Sequence, residues 1–329
     1  MIDGKRLVRR WVSAAFLATL AIVAGAADAQ VAGRQYRIGV LNDAWAANHP
    51  AVEGLKAGLR DLGFQEGRDV VFDVRFTKGN PRAMPTEAEA LVKAGVDVLF
   101  TSNEPATRAA KAATRKIPVV FTLVGDPVTA GVVAKLAHPG GNVTGVSSLT
   151  TDLMAKRLEV LKTLFPGVKR VWFIHDSTDP TGAVAMQKGI DAAQRLRIGF
   201  VPIGVTNAEG VKSALDLVKP GDALLAPDQD GFDISVGILE KSLASSVPAV
   251  FPSSLWIEHG GLASYGPDYY AQGVQAAQLV AKVLRGTPPE DLPVQAADKI
   301  DLTLNLKTAG LLGLAMPRKV LLRADRIRQ

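Results

Sequence analysis

Hydrophobic positions along this chain fall into two recurring patterns. Short continuous runs of Val, Ile, Leu and Phe predict strands at Arg37–Leu41, Asp69–Phe76, Val96–Ser102, Pro118–Val124, Asn142–Val146, Arg170–Asp176, Phe200–Val205, Asp222–Pro227, Pro248–Phe251 and Gly261–Tyr265. Runs of this kind, apolar without alternation, suit strands covered on both faces. Between them lie segments with helical spacing. In Ala51–Leu62, Val52, Leu55, Leu59 and Leu62 make one stripe, and Gly63 follows as a stop. Strand–helix alternation of this sort predicts an α/β protein built on parallel sheets.

The pattern echoes itself. Arg37-Ile38-Gly39-Val40-Leu41-Asn42-Asp43 parallels Arg170-Val171-Trp172-Phe173-Ile174-His175-Asp176. Leu91–Phe100 parallels Leu217–Ala226, and Ile117–Phe121 parallels Val247–Phe251. Three matches in one order, at offsets of 133, 126 and 130, predict two similar Rossmann-like lobes. A strand, a helix and the run Ile300–Leu306 remain after the second echo. They predict a multi-segment hinge, with the chain crossing between lobes more than once. The expected lobes are 36–146 plus about 255–285, and 147–254 plus about 295–316, with 317–329 as a basic C-terminal tail.

Ahead of the first strand, Lys5, Arg6, Arg9 and Arg10 precede an uncharged apolar run from Trp11 to Gly25, and Ala27-Asp28-Ala29 follows. Residues 1–29 therefore read as a cleavable secretory signal, too short in its apolar part for a bilayer span of about 20 residues. The whole chain of 329 residues carries a net charge of +6, and loss of the signal lowers this to +4, too mild a balance to predict nucleic-acid binding. Zero cysteines exclude disulfides, thiolate metal sites, cysteine nucleophiles and a lipid-anchored lipoprotein. With four histidines, no metal centre is expected, and no cofactor motif is present. These features predict an exported, freely diffusing periplasmic protein that acts as a monomer.

Ligands of open parallel sheets bind at the carboxyl ends of the strands. The loops there supply the candidates. Trp45, Asn48 and His49 precede a helix whose first-turn N–H groups suit a carboxylate, and Asn48 equally suits a helix cap. Ser102 and Asn103 have the same layout. Asp126 can take a ligand ammonium or cap the turn at Asp126-Pro127. In the second half, Ser177 and Asp228 end matching strands, the pair Asp228 and Asp230 adds negative charge, and Tyr265, in a cluster with Tyr269 and Tyr270 for which core packing is equally plausible, can stack on an aromatic ligand. Pro139-Gly140-Gly141-Asn142 lacks the lysine of a phosphate loop and reads as a turn. No catalytic motif stands out, so no catalytic residue is expected.

Several motifs in order carry a family resemblance over Tyr36–Ile327. They are His49-Pro50, Val120-Phe121-Thr122-Leu123-Val124-Gly125-Asp126-Pro127, Pro139-Gly140-Gly141-Asn142-Val143-Thr144-Gly145-Val146, Gly260-Gly261-Leu262-Ala263-Ser264-Tyr265-Gly266, Leu302-Thr303-Leu304-Asn305-Leu306-Lys307-Thr308-Ala309 and Leu322-Arg323-Ala324-Asp325. The chain resembles the solute-binding proteins of bacterial ABC importers, in the tryptophan/tyrosine-type family. That resemblance implies a type I periplasmic-binding-protein fold, a small-molecule solute such as an aromatic amino acid or a small aromatic acid, and ABC permease transmembrane subunits as partners. The rival expectations are an exported hydrolase-type enzyme and the ligand-sensing partner of a membrane sensor.

Overall fold

A computed structural model of the chain describes residues 34–42, 48–228 and 231–329. The signal expected at 1–29 lies outside them. Among the described residues the chain builds two α/β lobes, each around its own sheet.

Lobe 1 starts with β1 (Tyr36–Asn42), α1 (Pro50–Asp61), β2 (Val70–Phe76), α2 (Met84–Lys93), β3 (Val98–Ser102), α3 (Glu104–Ala113), β4 (Val119–Val124) and β5 (Val143–Ser147). The chain then crosses into lobe 2. There it forms α4 (Met154–Leu164), β6 (Arg170–Asp176), α5 (Pro180–Leu196), β7 (Gly199–Val205), α6 (Ala208–Asp216), β8 (Asp222–Leu225), α7 (Ile234–Ser245), β9 (Ala249–Phe251), the single turn α8 (Leu255–Glu258) and β10 (Ala263–Pro267). It returns to lobe 1 for α9 (Tyr269–Leu284) and β11 (Gln295–Ala296). It crosses a third time to end in lobe 2 with β12 (Ile300–Asn305), α10 (Leu306–Leu311), α11 (Arg318–Leu321) and β13 (Arg326–Arg328).

The sheet orders are β11-β5-β4-β3-β1-β2 and β13-β12-β10-β9-β8-β6-β7. Every pairing is parallel except β10 with β12. The echoed segments fall on corresponding strands: β1 with β6, β3 with β8, and β4 with β9. Both sheets therefore repeat one order, and the carboxyl ends of both sets of strands lead into the space between the lobes.

Two boundaries differ from those expected. The segment 255–267 belongs to the second sheet rather than to lobe 1. Leu262 and Ala263 pack with Leu158 and Leu161 of α4 in the core of lobe 2, and the chain crosses only at Asp268. The expected basic tail is also structured. Val320, Leu321 and Ala324 pack on the same core, and β13 pairs with β12 as the sheet's edge strand. The turn read at Pro139–Asn142 is present, with Gly140 and Gly141 at φ of +74° and +67°.

The lobe 1 core rests on a close approach of α1 and α9. Leu55 and Leu59 pack with Ala276, Ala277 and Val280. A Cβ on Gly54 would lie 2.0 Å from the Tyr270 carbonyl oxygen, and one on Gly273 would lie 2.1 Å from that of Ala51. Glycine at both positions lets the two backbones touch.

The three crossings are tied together by Asp268 to Gln272. Asp268 accepts from the Ala271 N–H at 3.0 Å, capping α9, and from Lys299 Nζ at 3.0 Å, on the third crossing. It also bonds Arg326 of β13, whose Nε lies 3.2 Å from Asp301. Burial alone raises the Asp268 carboxyl, but the Ala271 N–H, Lys299 and Arg326 outweigh it and hold the group below the usual carboxylate range. On the first crossing, Ser148 Oγ donates to Gln272 Oε1 at 3.2 Å, and Leu123 N–H reaches the same oxygen at 3.4 Å. Leu123 and Leu149 both sit at left-handed φ, +58° and +56°, conformations that persist only where neighbours enforce them.

Candidate functional site

On the lobe 2 side of the cleft, at the head of α4 and α5, lies a small hollow with about 30 Å³ of free space, room for a water and well below the usual size of a small-molecule site. Its lining includes Thr150, Arg157, Phe173, His175, Asp179 and Asp228.

Arg157 is the feature that the loop candidates did not anticipate. It sits in α4 and is 1% exposed. Its Nε donates to the Tyr265 carbonyl oxygen at 3.0 Å, while Nη2 is buried with no hydrogen-bond partner. A guanidinium so enclosed loses hydration, and burial pulls its proton affinity down, with the nearby Asp228 carboxylate opposing this.

Asp228 follows β8. It keeps part of its surface exposed, yet its carboxylate is surrounded by protein, and burial pushes that carboxyl up. Arg157 and the Thr150 hydroxyl, which donates to Asp228 Oδ2 at 2.7 Å, pull it the other way. Across the cleft, Gly125 leaves room for this arrangement: a Cβ there would stand 2.0 Å from Thr150 Oγ1 and 3.0 Å from Asp228 Oδ2. The two lobes are therefore in contact at the loop after β4.

Glu104 opens α3 on the lobe 1 side, 7% exposed, and accepts from Arg108 Nε at 2.6 Å. Burial raises its carboxyl, Arg108 lowers it, and Asp179 and Asp228 of the opposite lobe add repulsion that raises it again.

His49 is half-buried before α1, where its Nδ1 accepts from the Ala51 N–H at 3.2 Å. Burial lowers its pKa to about 4, and a nitrogen that accepts a hydrogen bond must be unprotonated, so the ring is neutral at physiological pH. It stacks on Tyr269, with centroids 6.0 Å apart and planes 22° apart. The pair presents an aromatic face from lobe 1 within electrostatic reach of Arg157.

The remaining candidates divide. Ser102 is fully buried at the end of β3 with its hydroxyl unpartnered. Asn103 caps α3, accepting from Ala106 N–H at 2.9 Å, at a φ of +99°. Asp126 closes its own turn on Thr129, at 3.0 Å to the N–H and 2.7 Å to the hydroxyl. Ser177 is exposed and donates to the Val205 carbonyl at 3.1 Å. Asn48 is exposed. Tyr265 is placed differently from the stacking role expected of it: its ring packs on the lobe 2 core and lines a separate hollow with Leu302 and Val320. Only its backbone carbonyl serves the cleft, through Arg157. Trp45 and Asp230 lie outside the described residues.

The two-lobed fold has counterparts. A tyrosine-binding protein of Clostridioides difficile (strain R20291) is 30% identical over 267 residues, covering 79% of this chain and 76% of its own. The ABC domain from Streptococcus pneumonia, solved in complex with L-Trp, superimposes with a TM-score of 0.79 at 26% identity, covering 89% of this chain and all of its own. A ligand-free, open substrate-binding protein with adhesive properties from Clostridium difficile gives a TM-score of 0.68 at 25% identity, over 89% and 99% of the two chains. At nearly equal identity, the chain follows the liganded structure more closely than the open one. Family and fold are those of binding proteins, not of enzymes. The family model for ABC transporter substrate binding proteins matches residues 44–328, and the chain belongs to that family of solute receptors serving ABC importers.

Proposed function

We propose that this receptor captures a free aromatic amino acid between its lobes and presents it to the membrane permease. The observation that carries this reading is the enclosed pair of opposite charges, Arg157 with an unpartnered Nη2 and Asp228 beside it, lining one hollow. A zwitterion complements such a pair: its carboxylate reaches Arg157 in a charge-assisted bond and its ammonium reaches Asp228. The stacked rings of His49 and Tyr269 supply a flat partner for an aromatic side chain. The likeness to proteins described as binding tyrosine and tryptophan supports the same choice. The ligand stabilises the closed clamp because it touches both lobes only there. The protein works as a monomer in the periplasm, exported through residues 1–29.

Isothermal titration with tyrosine, tryptophan, phenylalanine and a set of non-aromatic amino acids tests this. Saturable binding by at least one aromatic amino acid is expected, with weaker binding by the others. Arg157→Met in a folded variant is expected to weaken that ligand by about 2–5 kcal/mol, the usual cost of losing one partner of an enclosed charge pair. Absence of binding by all amino acids would overturn the reading.

A further inference from the structure

We propose that Gly125 is the seat on which the clamp closes, a positioning residue whose missing side chain lets lobe 1 reach the Thr150–Asp228 pair of lobe 2. This deepens the receptor reading above, and it needs only that the lobes close, not that the ligand be aromatic. Gly125 is buried and its φ lies outside the left-handed region, so backbone freedom does not call for glycine there. Space does. A Cβ would stand 2.0 Å from Thr150 Oγ1, far inside van der Waals contact, and 3.0 Å from Asp228 Oδ2.

The two sides of this contact are anchored to different lobes. Gly125 stays with lobe 1, because its carbonyl accepts from Ser147 Oγ of β5 at 3.2 Å and the neighbouring Val124 carbonyl accepts from Ser148 N–H at 2.9 Å. Ser148 is in turn bonded to Gln272 of α9. Thr150 stays with lobe 2 through its 2.7 Å bond to Asp228. One residue, Leu149, lies between these anchors. Its N–H donates to Ser147 Oγ at 3.3 Å on the lobe 1 side, and its carbonyl accepts from Leu153 N–H at 2.9 Å at the approach to α4. Its φ of +56° is a conformation held by its surroundings. The first crossing turns at Leu149, and rotation there carries Thr150 and Asp228 away from Gly125. An added methyl leaves two ways out: the lobes stay apart, or Thr150 swings its hydroxyl aside and releases Asp228. Either one penalises the closed form alone, so the ligand is held less tightly with no contact to residue 125 needed.

Isothermal titration with tyrosine and with tryptophan gives the first test. Gly125→Ala is expected to weaken the bound amino acid by ~10-fold or more, the scale of losing one hydrogen bond to a charged group. The same change made in Thr150→Ala protein, where Oγ1 is gone, is expected to cost under ~3-fold. The ligand-free melting temperature of Gly125→Ala is expected to match the wild type, because the open form lacks the contact. An equal affinity loss in both backgrounds overturns the proposal, and so does a fall in the ligand-free melting temperature, which would make Gly125 a packing residue of the fold. A second test needs no ligand. A Cβ at residue 125 lies 3.4 Å from Thr150 Cβ, near the span of about 3.5–4.5 Å that a disulfide bridges. The chain has no cysteine of its own, so Gly125→Cys with Thr150→Cys allows a single bridge. The oxidised, ligand-free protein is expected to have a smaller radius of gyration in X-ray scattering than the reduced one. Equal radii, or no bridge under oxidising conditions, overturn the proposal while the receptor reading stands. Failure of both amino acids to bind removes the aromatic-ligand reading instead, and the cross-link still decides the role of Gly125.

Discussion

At the scale of single residues, His49 shows how one ring serves structure and site together. Its neutral Nδ1 caps α1 while its face stacks on Tyr269. The unfolded chain takes a proton at this position near pH 6.5, whereas the folded protein resists until about pH 4. Because the unfolded state binds more protons in that window, stability contributed here is present above it and is lost as pH falls from about 6.5 to about 4. His49→Asn keeps a good cap and removes the titration. Its melting temperature is expected to fall less than that of the wild type between pH 7 and pH 5, read by circular dichroism; an equal fall would refute the assignment.

Arg157 explains why the site was only partly legible from sequence. Loop positions after strands drew attention because ligands gather there, and Ser102 and Asp228 do lie at or just beyond strand ends. Arg157 instead lies within a helix. A signal was present: α4 carries Met154, Leu158, Leu161 and Leu164 on its buried stripe, and Arg157 falls on the same face. A lone charge among buried positions needs a partner or a purpose. Tyr265 misled for the opposite reason. A tyrosine ending a strand near the cleft suits stacking, but strand alternation turns its ring to the face that α4 covers.

At the scale of elements, the strands with continuous Val, Ile, Leu and Phe runs were legible to within a few residues, since burial on both faces leaves no other composition possible. β11 and β13 were not. Gln295–Ala296 is too short for a pattern, and Arg326–Arg328 has the composition of a solvated tail. Both take their conformation from the strand beside them. The α1–α9 pair is a second contact of this kind, set by tertiary fit. Alanine in place of Gly54 gains about 1 kcal/mol of helix propensity. The new methyl would meet backbone rather than a yielding side chain, and forced repacking of that kind costs about 1–3 kcal/mol or more. A lower urea midpoint is expected for Gly54→Ala and for Gly273→Ala, and an unchanged or raised midpoint would show that the helices separate freely.

At the scale of the whole molecule, the clamp is governed by the point where its crossings meet. Asp268 bonds the third crossing through Lys299 and the chain's last strand through Arg326. Removing the guanidinium with Arg326→Ala is expected to cost about 1 kcal/mol, modest because that side chain is half exposed. The loss is expected to shrink in 1 M salt, where screening already weakens the bridge. Denaturant titration at both salt concentrations checks this, and a loss independent of salt would assign Arg326 a packing role instead.

The return of α9 and β11 to lobe 1 also dictates when that lobe can exist. Apolar positions on α1 wait for Ala276, Ala277 and Val280, and β5 waits for a partner at residues 295–296. A chain emerging from its N-terminus therefore leaves lobe 1 unfinished until nearly all of its length is available. Lobe 2 has the same delay, since β12 and β13 complete its sheet. Neither half can be completed from a contiguous fragment. A polypeptide with this connectivity closes either sheet only after its late segments are available.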